Sequence, residues 1–248
     1  MAYQKLKDVE NILDNTPYDK KLELAQFCVD EALKVSKNPC IAFSGGKNSL
    51  VVLHMVIKKN PDVMVLFNNT TNEMPETLKY VRWLAKEWEL NFYEVRPNTN
   101  YWKIVEKYGF PHHNRYYNKE PKCCYYLKKK PAEKFYKEHN IDCVFTGISA
   151  YESRVRKIWA ATQGMFYKSK NWLHTYPIMF WSEEDVWAYI KENDLPVNPA
   201  YEKYGIDRTG CIACTGFIGW QEKMLKVNPK LYEYVMRKMG QTLLIEEV

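Results

Sequence analysis

The segment Ser44-Gly45-Gly46-Lys47-Asn48-Ser49 lies between two apolar runs, and its residue types are those that hold an anion. Glycines at 45 and 46 open backbone conformations closed to other residues, so successive N–H groups can turn inward around a phosphate or sulfate. The N-terminus of the helix expected next adds unpaired N–H groups and positive potential. Ser44 and Ser49 supply hydroxyl donors, and Lys47 supplies a point charge. A Walker loop would put Gly at Ile41 and Ser or Thr at Asn48, so this is a different phosphate cradle. The plainer alternative is a tight strand-to-helix turn that uses glycine for geometry alone.

The second group is four cysteines in two pairs, Cys123-Cys124 and Cys211-Ile212-Ala213-Cys214. A C-x-x-C turn brings two thiolates to one centre, and a second pair nearby completes a four-sulfur site. Zinc and a 4Fe-4S cluster compete for such a site. Adjacent cysteines diverge, which is awkward for one tetrahedral zinc, whereas a four-iron cluster takes each neighbour on a separate iron; the cluster is favoured. Lys122, Lys128, Lys129 and Lys130 flank the first pair, where they either offset the thiolate charge or form the wet face of a helix. Cys28, Cys40 and Cys143 fall in apolar patterns and read as core packing.

The whole chain bounds these readings. It has 248 residues, 46% apolar, 27% charged, with a net charge of +6. One large or two small globular domains fit that length. No apolar run approaches the ~20 residues a bilayer span requires, and no secretory signal is visible. Seven cysteines, odd in number and unevenly spaced, suit reduced thiols in a cytoplasm better than a secreted disulfide framework. Residues 96–170 hold 16 basic and 6 acidic residues, a net +10, while the remainder carries 20 against 24, a net −4. Like charges this dense repel unless a polyanion sits among them, so the middle third is expected to face a nucleotide, a nucleic acid or a phosphate-bearing substrate.

The elements that must position these groups alternate in type. Thr16 followed by Pro17 predicts an N-cap and a first helical residue, opening an amphipathic helix through Leu22, Ala25, Val29, Ala32 and Leu33. Strands are predicted at Cys40–Phe43, Val63–Phe67, Phe92–Val95 and Cys143–Thr146. Helices are predicted from Ser49 to Lys58 and from Pro75 to Trp88, with Ser182 and Asp185 forming a capping box before another. This alternation implies an α/β fold, a doubly wound, mostly parallel sheet with helices on both faces. Ligands bind such sheets beyond the carboxyl ends of the strands, so the loops after Phe43, Phe67 and Thr146 should share one rim. Residues 1–200 are expected to form the nucleotide-binding domain, and residues 201–248 a small helical, cysteine-bearing segment packed on it.

The loop at 44–49 resembles the pyrophosphate-binding loop, or PP-loop, of the adenine nucleotide alpha-hydrolases, usually Ser-Gly-Gly-x-Asp-Ser. The sulfonucleotide branch, that of phosphoadenosine phosphosulfate (PAPS) reductase, is the most similar. Two further stretches resemble it: Phe67-Asn68-Asn69-Thr70-Thr71 with Pro75-Glu76-Thr77, and Gly147-Ile148 with Glu152-Ser153 and Arg156. The paired cysteines resemble the cluster ligation of assimilatory adenylylsulfate reductases and of sulfur-transfer proteins in DNA phosphorothioation. The resemblance implies an adenine nucleotide, ATP or an adenylyl sulfonucleotide, with magnesium a companion of the phosphates. Ser44 to Ser49, Asn69, Thr70, Gly147 and Glu152 would bind it, and Lys47, Arg154 and Arg156 would stabilise charge as a phosphoanhydride or sulfate bond breaks. Cys123, Cys124, Cys211 and Cys214 would hold the 4Fe-4S cluster.

Three departures stand out. Asn48 replaces the usual Asp, removing a carboxylate while keeping hydrogen bonding. Ser149 stands where the family often has Arg, with Arg154 close enough in sequence to compensate. No cysteine follows Cys214, so the family's terminal-thiol attack would need a nucleophile from elsewhere. The expected reaction is therefore sulfur transfer after adenylyl activation, with a thiol or sulfur-donor protein as partner. Reduction of adenylylsulfate or PAPS by an outside thiol is the first alternative, and a nucleotide-sensing subunit with a structural cluster, which Asn48 favours, is the second. A homo-oligomer or a partner subunit is also expected. Tyr116, Tyr117, Tyr125 and Tyr126 interleave with Arg115, Lys119 and Lys122, a mixture that suits a nucleic acid acceptor and equally suits packing beside the cluster. His112-His113 reads as a loop pair, and Trp172, Trp181 and Trp187 as core or interface anchors.

Overall fold

The computed structural model describes residues 2–111 and 120–240. Six strands form one sheet: β1 (Pro39–Ala42), β2 (Met64–Asn68), β3 (Phe92–Val95), β4 (Cys143–Thr146), β5 (Phe166–Lys168) and β6 (Leu173–Thr175). Their order is β3-β2-β1-β4-β6-β5, parallel throughout except for β5, which pairs antiparallel with β6 at the edge. The predicted strands are found within a residue at each end. The β5–β6 edge ribbon was not foreseen, because Phe166-Tyr167-Lys168 and Leu173-His174-Thr175 are too short to show a period-2 pattern.

Twelve helices surround the sheet among the described residues: α1 (Ala2–Asn15), α2 (Tyr18–Val35), α3 (Lys47–Ile57), α4 (Pro75–Glu87), α5 (Tyr101–Tyr108), α6 (Lys122–Cys124), α7 (Lys130–Glu138), α8 (Arg154–Gln163), α9 (Glu183–Glu192), α10 (Ala200–Tyr204), α11 (Trp220–Val227) and α12 (Pro229–Lys238). Helices α6 and α7 are joined through a π-helical turn at Tyr125–Lys129. Pleating sorts each strand between two cores. On one face Ile41, Val65, Phe67 and Phe145 pack with α2, α3, α4 and α9; on the other Cys40, Leu66 and Val144 pack with Phe135 and Tyr136 of α7. Burial on both faces is what a parallel sheet requires. Cys28, Cys40 and Cys143 are fully buried, as expected for packing residues. A separate apolar cluster joins Tyr101, Ile104 and Val105 of α5 to Cys123, Leu127, Ala213, Trp220, Met224 and Val235.

Two helix starts differ from expectation. Pro17 itself is the N-cap of α2, extended at ψ 152° and without a side-chain cap bond, so the helix begins at Tyr18 and Thr16 caps nothing. Helix α3 begins two residues earlier than Ser49, directly after Gly46. The Ser182 capping box is present: the Ser182 N–H donates to Asp185 at 2.7 Å, and the Asp185 N–H donates to Ser182 Oγ at 3.2 Å. Asp185 also receives the Lys21 ammonium at 2.8 Å, with the lysine side chain 4% exposed. Breaking a buried pair from one side leaves the other charge unmatched. Lys21→Met should therefore cost about 3–5 kcal/mol, read as a shift in the urea midpoint at unchanged m-value.

Candidate functional site

Between β1 and β4 the strand order reverses direction, and the crevice at such a switch point is where α/β sheets bind ligands. A cleft of about 660 Å³ opens there, lined by residues of the loops after β1, β2 and β4 and of the segment 207–210. The three loops do share one rim.

The glycine loop is shaped by steric contacts from several directions. Gly45 has φ +74°, a left-handed conformation that favours glycine, and a Cβ there would lie 2.7 Å from Val81 Cγ2 of α4. Gly46 differs from expectation: its backbone is extended at φ −98°, ψ 162°, open to any residue. Its constraint is space, since a Cβ would meet Thr209 Oγ1 at 2.9 Å. Asn198, buried and missed in the sequence, donates from Nδ2 to the Gly45 carbonyl and to Thr77 Oγ1, both at 3.0 Å. The Lys47 N–H donates to the Tyr201 hydroxyl at 3.0 Å, so one N–H of the expected nest is engaged within the protein. Ser44 and Ser49 hydroxyls lie 3.0 Å apart, and Ser49 Oγ donates to the Gly46 carbonyl at 2.8 Å. Gly147 has the least room: a Cβ would stand 2.6 Å from the Asn48 carbonyl carbon and oxygen. The β4 loop is thereby seated directly on the first turn of α3.

The three expected catalytic cations have different surroundings. Lys47 lines the cleft, but its ammonium is held by Glu183 at 3.0 Å and by the Asp207 carbonyl, over the rings of Trp187 and Tyr201. It braces the loop against α9 and the segment before Cys211. Arg156 lines the cleft and pairs with Glu152. Burial, and then neighbouring Arg208, pushes its guanidinium down to about 10, leaving it protonated at neutral pH. Arg154 is a correction: it is the exposed first residue of α8 and is not among the cleft-lining residues. The cation that stands near Arg156 is Arg208, also in the cleft wall, three residues before Cys211. Its position in Arg208-Thr209-Gly210 before the C-x-x-C was the available signal.

Glu152 is engaged in a capping box with Ser149, whose N–H donates to Glu152 Oε2 at 3.2 Å. Ser149 is buried in that box, so no longer side chain fits there without rebuilding the turn. Asn69 is a second correction: its amide donates to Glu94 Oε1 at 2.7 Å on β3, and Asn68 lines the cleft instead. Thr70 is fully buried, with its hydroxyl 2.7 Å from Glu73 and 3.5 Å from Cys211 Sγ. It lies against the C-x-x-C and is not among the cleft-lining residues.

The two cysteine pairs border one apolar cluster, which holds Cys123 and Ala213 with Cys124 and Ile212 packed against it. Cys123 is below its ordinary thiol value through a hydrogen bond with Cys124, against burial and the charges of Cys214 and Cys211. Cys211 is pushed up to about 11 by burial, with the Lys128 ammonium opposing. Lys128 is itself raised, first by Cys211, then by Glu73, Cys124 and Cys214. It also lines the cleft, so it is not the wet side of a helix; Lys129 and Lys130 are exposed. The π-helical turn at Tyr125–Lys129 inserts one extra residue per turn, a device frequent at functional sites. The C-x-x-C loop hangs on Asn72, whose carbonyl accepts from the Ile212 N–H at 2.7 Å and whose Oδ1 accepts from the Ala213 N–H at 3.4 Å. Asn72 Nδ2 is buried with no hydrogen-bond partner among the described residues. No group of three or more His, Cys, Asp or Glu among the described residues is drawn close enough to hold a metal ion.

A profile of the phosphoadenosine phosphosulfate reductase domain matches residues 38–217. The chain belongs to the PAPS reductase domain family. An uncharacterized protein of Methanocaldococcus jannaschii is 33% identical over 231 residues, covering 90% of this chain and 45% of that protein. The chain thus spans about half the length of that relative. Crystals of PAPS reductase from Candida auris, in a phosphate complex, share this fold at TM-score 0.56 and 22% identity, over 80% of this chain and 95% of that one. So does a U34-tRNA thiolase from Methanococcus maripaludis solved with its 4Fe-4S cluster, at TM-score 0.55 and 15% identity, over 90% and 79% of the two chains. The PP-loop family assignment and the mostly parallel α/β fold stand together. No helix of the described residues is long and apolar enough to cross a membrane. His112, His113, Arg115, Tyr116, Tyr117 and Lys119 lie outside the described residues, as does the tail 241–248. Trp172 and Trp181 are core residues, while Trp187 is 37% exposed and lies beneath the Lys47 ammonium.

Proposed function

We propose that this chain is an adenylyl-activating sulfur transferase. It binds ATP with the phosphates at residues 44–49, carries a 4Fe-4S cluster on Cys123, Cys124, Cys211 and Cys214, and exchanges an oxygen of its acceptor for sulfur. One observation carries the reading: Gly210, which leads directly into Cys211, lines the same cleft as Ser44, Gly46 and Asn48, together with Lys128 and Glu73. A nucleotide seated on the loop therefore shares its cleft with the residue that precedes the C-x-x-C pair. The donor set suits a cluster, since four thiols come from two segments, a lysine offsets their charge, and the orphaned Asn72 amide supplies a donor where a sulfur acceptor is wanted. Loading would gather the four thiols more tightly than they stand now. A 4Fe-4S cluster supplies sites that hold sulfide or pass electrons.

The residues of this chain act on the nucleotide. An acceptor oxygen attacks the α-phosphorus, the bond to the bridging oxygen breaks, and pyrophosphate leaves. Arg156 and Arg208 neutralise charge that grows on the departing phosphates, and the unpaired N–H groups at the start of α3 hold them. The terminal sulfur of a donor persulfide then attacks the activated carbon, and AMP leaves with the former acceptor oxygen; a second donor thiol attacks the resulting disulfide, freeing the new sulfur on the acceptor and leaving the donor oxidised to a disulfide. Lys47, Asn198 and Gly147 fix the loop's position.

Family membership itself favours a second reading, in which two equivalents of an outside thiol reduce adenylylsulfate or PAPS to sulfite and are oxidised to a disulfide. Product analysis separates them. Cluster-replete protein is expected to release pyrophosphate from ATP with a sulfur acceptor present. Sulfite from adenylylsulfate or PAPS with dithiothreitol, without pyrophosphate from ATP, would install the reductase instead. Binding of ATP with neither product would leave a nucleotide-sensing module.

A further inference from the structure

A compact aromatic and basic surface covers the outer side of the tandem-cysteine segment. Tyr108, at the end of α5, stacks on Tyr126 of the π-helical turn with ring centroids 5.8 Å apart and planes at 18°. Tyr125 meets Tyr126 edge-on at 5.0 Å. The ammoniums of Lys107 and Lys122 stand 5.4 and 5.9 Å from the Tyr108 ring, and that of Lys130 stands 6.0 Å from Tyr126. Tyr108 and Tyr125 are 40% and 38% exposed. Cys123, between Lys122 and the tyrosines in sequence, is buried beneath. The nearby carboxylate of Glu120 is matched by Lys129 at 3.5 Å, so it does not cancel the other three lysines.

From this arrangement we infer that the surface binds single-stranded nucleic acid, which makes a nucleic acid the acceptor of the sulfur transfer proposed above, on which that last step rests. Exposed ring faces stack on bases of any sequence, and lysines set around them meet successive phosphates. An acidic protein would use the lysines but would gain little from stacked rings. Charge complementarity points the same way, since the net +10 of residues 96–170 includes these lysines. The surface flanks the cysteines, so a strand lying on it is carried toward the end of the cleft bounded by Lys128.

Fluorescence anisotropy of the full chain with labelled oligouridylate and oligothymidylate tests the inference. Replacing Lys107, Lys122 and Lys130 together by Ala should lower the slope of log affinity against log salt by about 2. Tyr108→Ala should weaken binding about tenfold or more and Tyr108→Phe should restore it, because stacking needs the ring and not the hydroxyl. Lys191→Ala, exposed on α9 and outside the basic stretch, should change nothing, and calorimetric ATP binding should persist in the Tyr108 and lysine variants. Unchanged oligonucleotide affinity in the triple variant, or polyglutamate competing equally while Tyr108→Ala is silent, overturns the inference. Oligonucleotide binding that behaves as expected without pyrophosphate release removes the transferase and leaves the surface standing.

Discussion

Cys211→Ser, and separately Cys124→Ser, should strip iron and acid-labile sulfide from anaerobically purified protein, while Cys28→Ser leaves both at wild-type content. The contrast rests on what surrounds each thiol. Cys28 is fully buried in the main core, and burial pushes its thiol up to about 12, so it has neither access nor ionisation for a ligand's work. Cys211 is also pushed up by burial, but the Lys128 ammonium opposes that shift and the Thr70 hydroxyl lies 3.5 Å from its sulfur. A serine keeps the shape and loses the thiolate, so one corner iron loses its sulfur ligand and the cluster becomes labile to loss during purification. The effect is expected to be close to complete. Zinc at one equivalent without sulfide in the wild-type chain would replace the cluster by a structural zinc site.

Gly147→Ala should strongly weaken nucleotide binding while leaving most of the fold intact. A Cβ at this position enters the Asn48 carbonyl at 2.6 Å and comes within 2.7 Å of the Ser49 nitrogen. These are backbone atoms of the loop itself, and they cannot swing aside as a side-chain terminus would. Either β4's loop lifts or the first turn of α3 shifts, carrying the cradle's N–H groups out of position. Calorimetry with ATP should show affinity down about tenfold to a hundredfold, the worth of one hydrogen bond to a charged group. A variant that binds ATP normally would mean the loop after β4 does not fix the cradle. Gly45→Ala is milder in what it strikes, because Val81 Cγ2 is a methyl group, although the positive φ adds strain.

The sheet was legible because its strands carry their own signals. Phe92–Val95 and Cys143–Thr146 are found with the predicted limits, and Ser182 with Asp185 forms the capping box its spacing announces. The cysteine pairs and the glycine loop were likewise visible as motifs. What escaped was the set of partners supplied from distant parts of the chain. Asn198 and Tyr201 hold the loop from more than 150 residues away, and nothing in their local sequence marks that role. Arg154 and Arg156 look equivalent in sequence, but helical geometry turns one into solvent and the other into the cleft. Asn69 and Asn68 are neighbours on a strand end, so they face opposite ways, and only Asn68 lines the cleft. Lys128 could be read either way from its run of three lysines; the π-helical turn after the tandem cysteines decides the matter by rotating it toward Cys211.

On the proposed function, one bound nucleotide lies between the glycine loop and the cysteine centre. Pulsed electron paramagnetic resonance reads this directly, with the reduced cluster as one spin and a nitroxide on the ribose of ATP as the other. Strong dipolar coupling, abolished by excess unlabelled ATP, is the predicted result. Saturating occupancy of the labelled nucleotide without measurable coupling to the cluster would contradict the account.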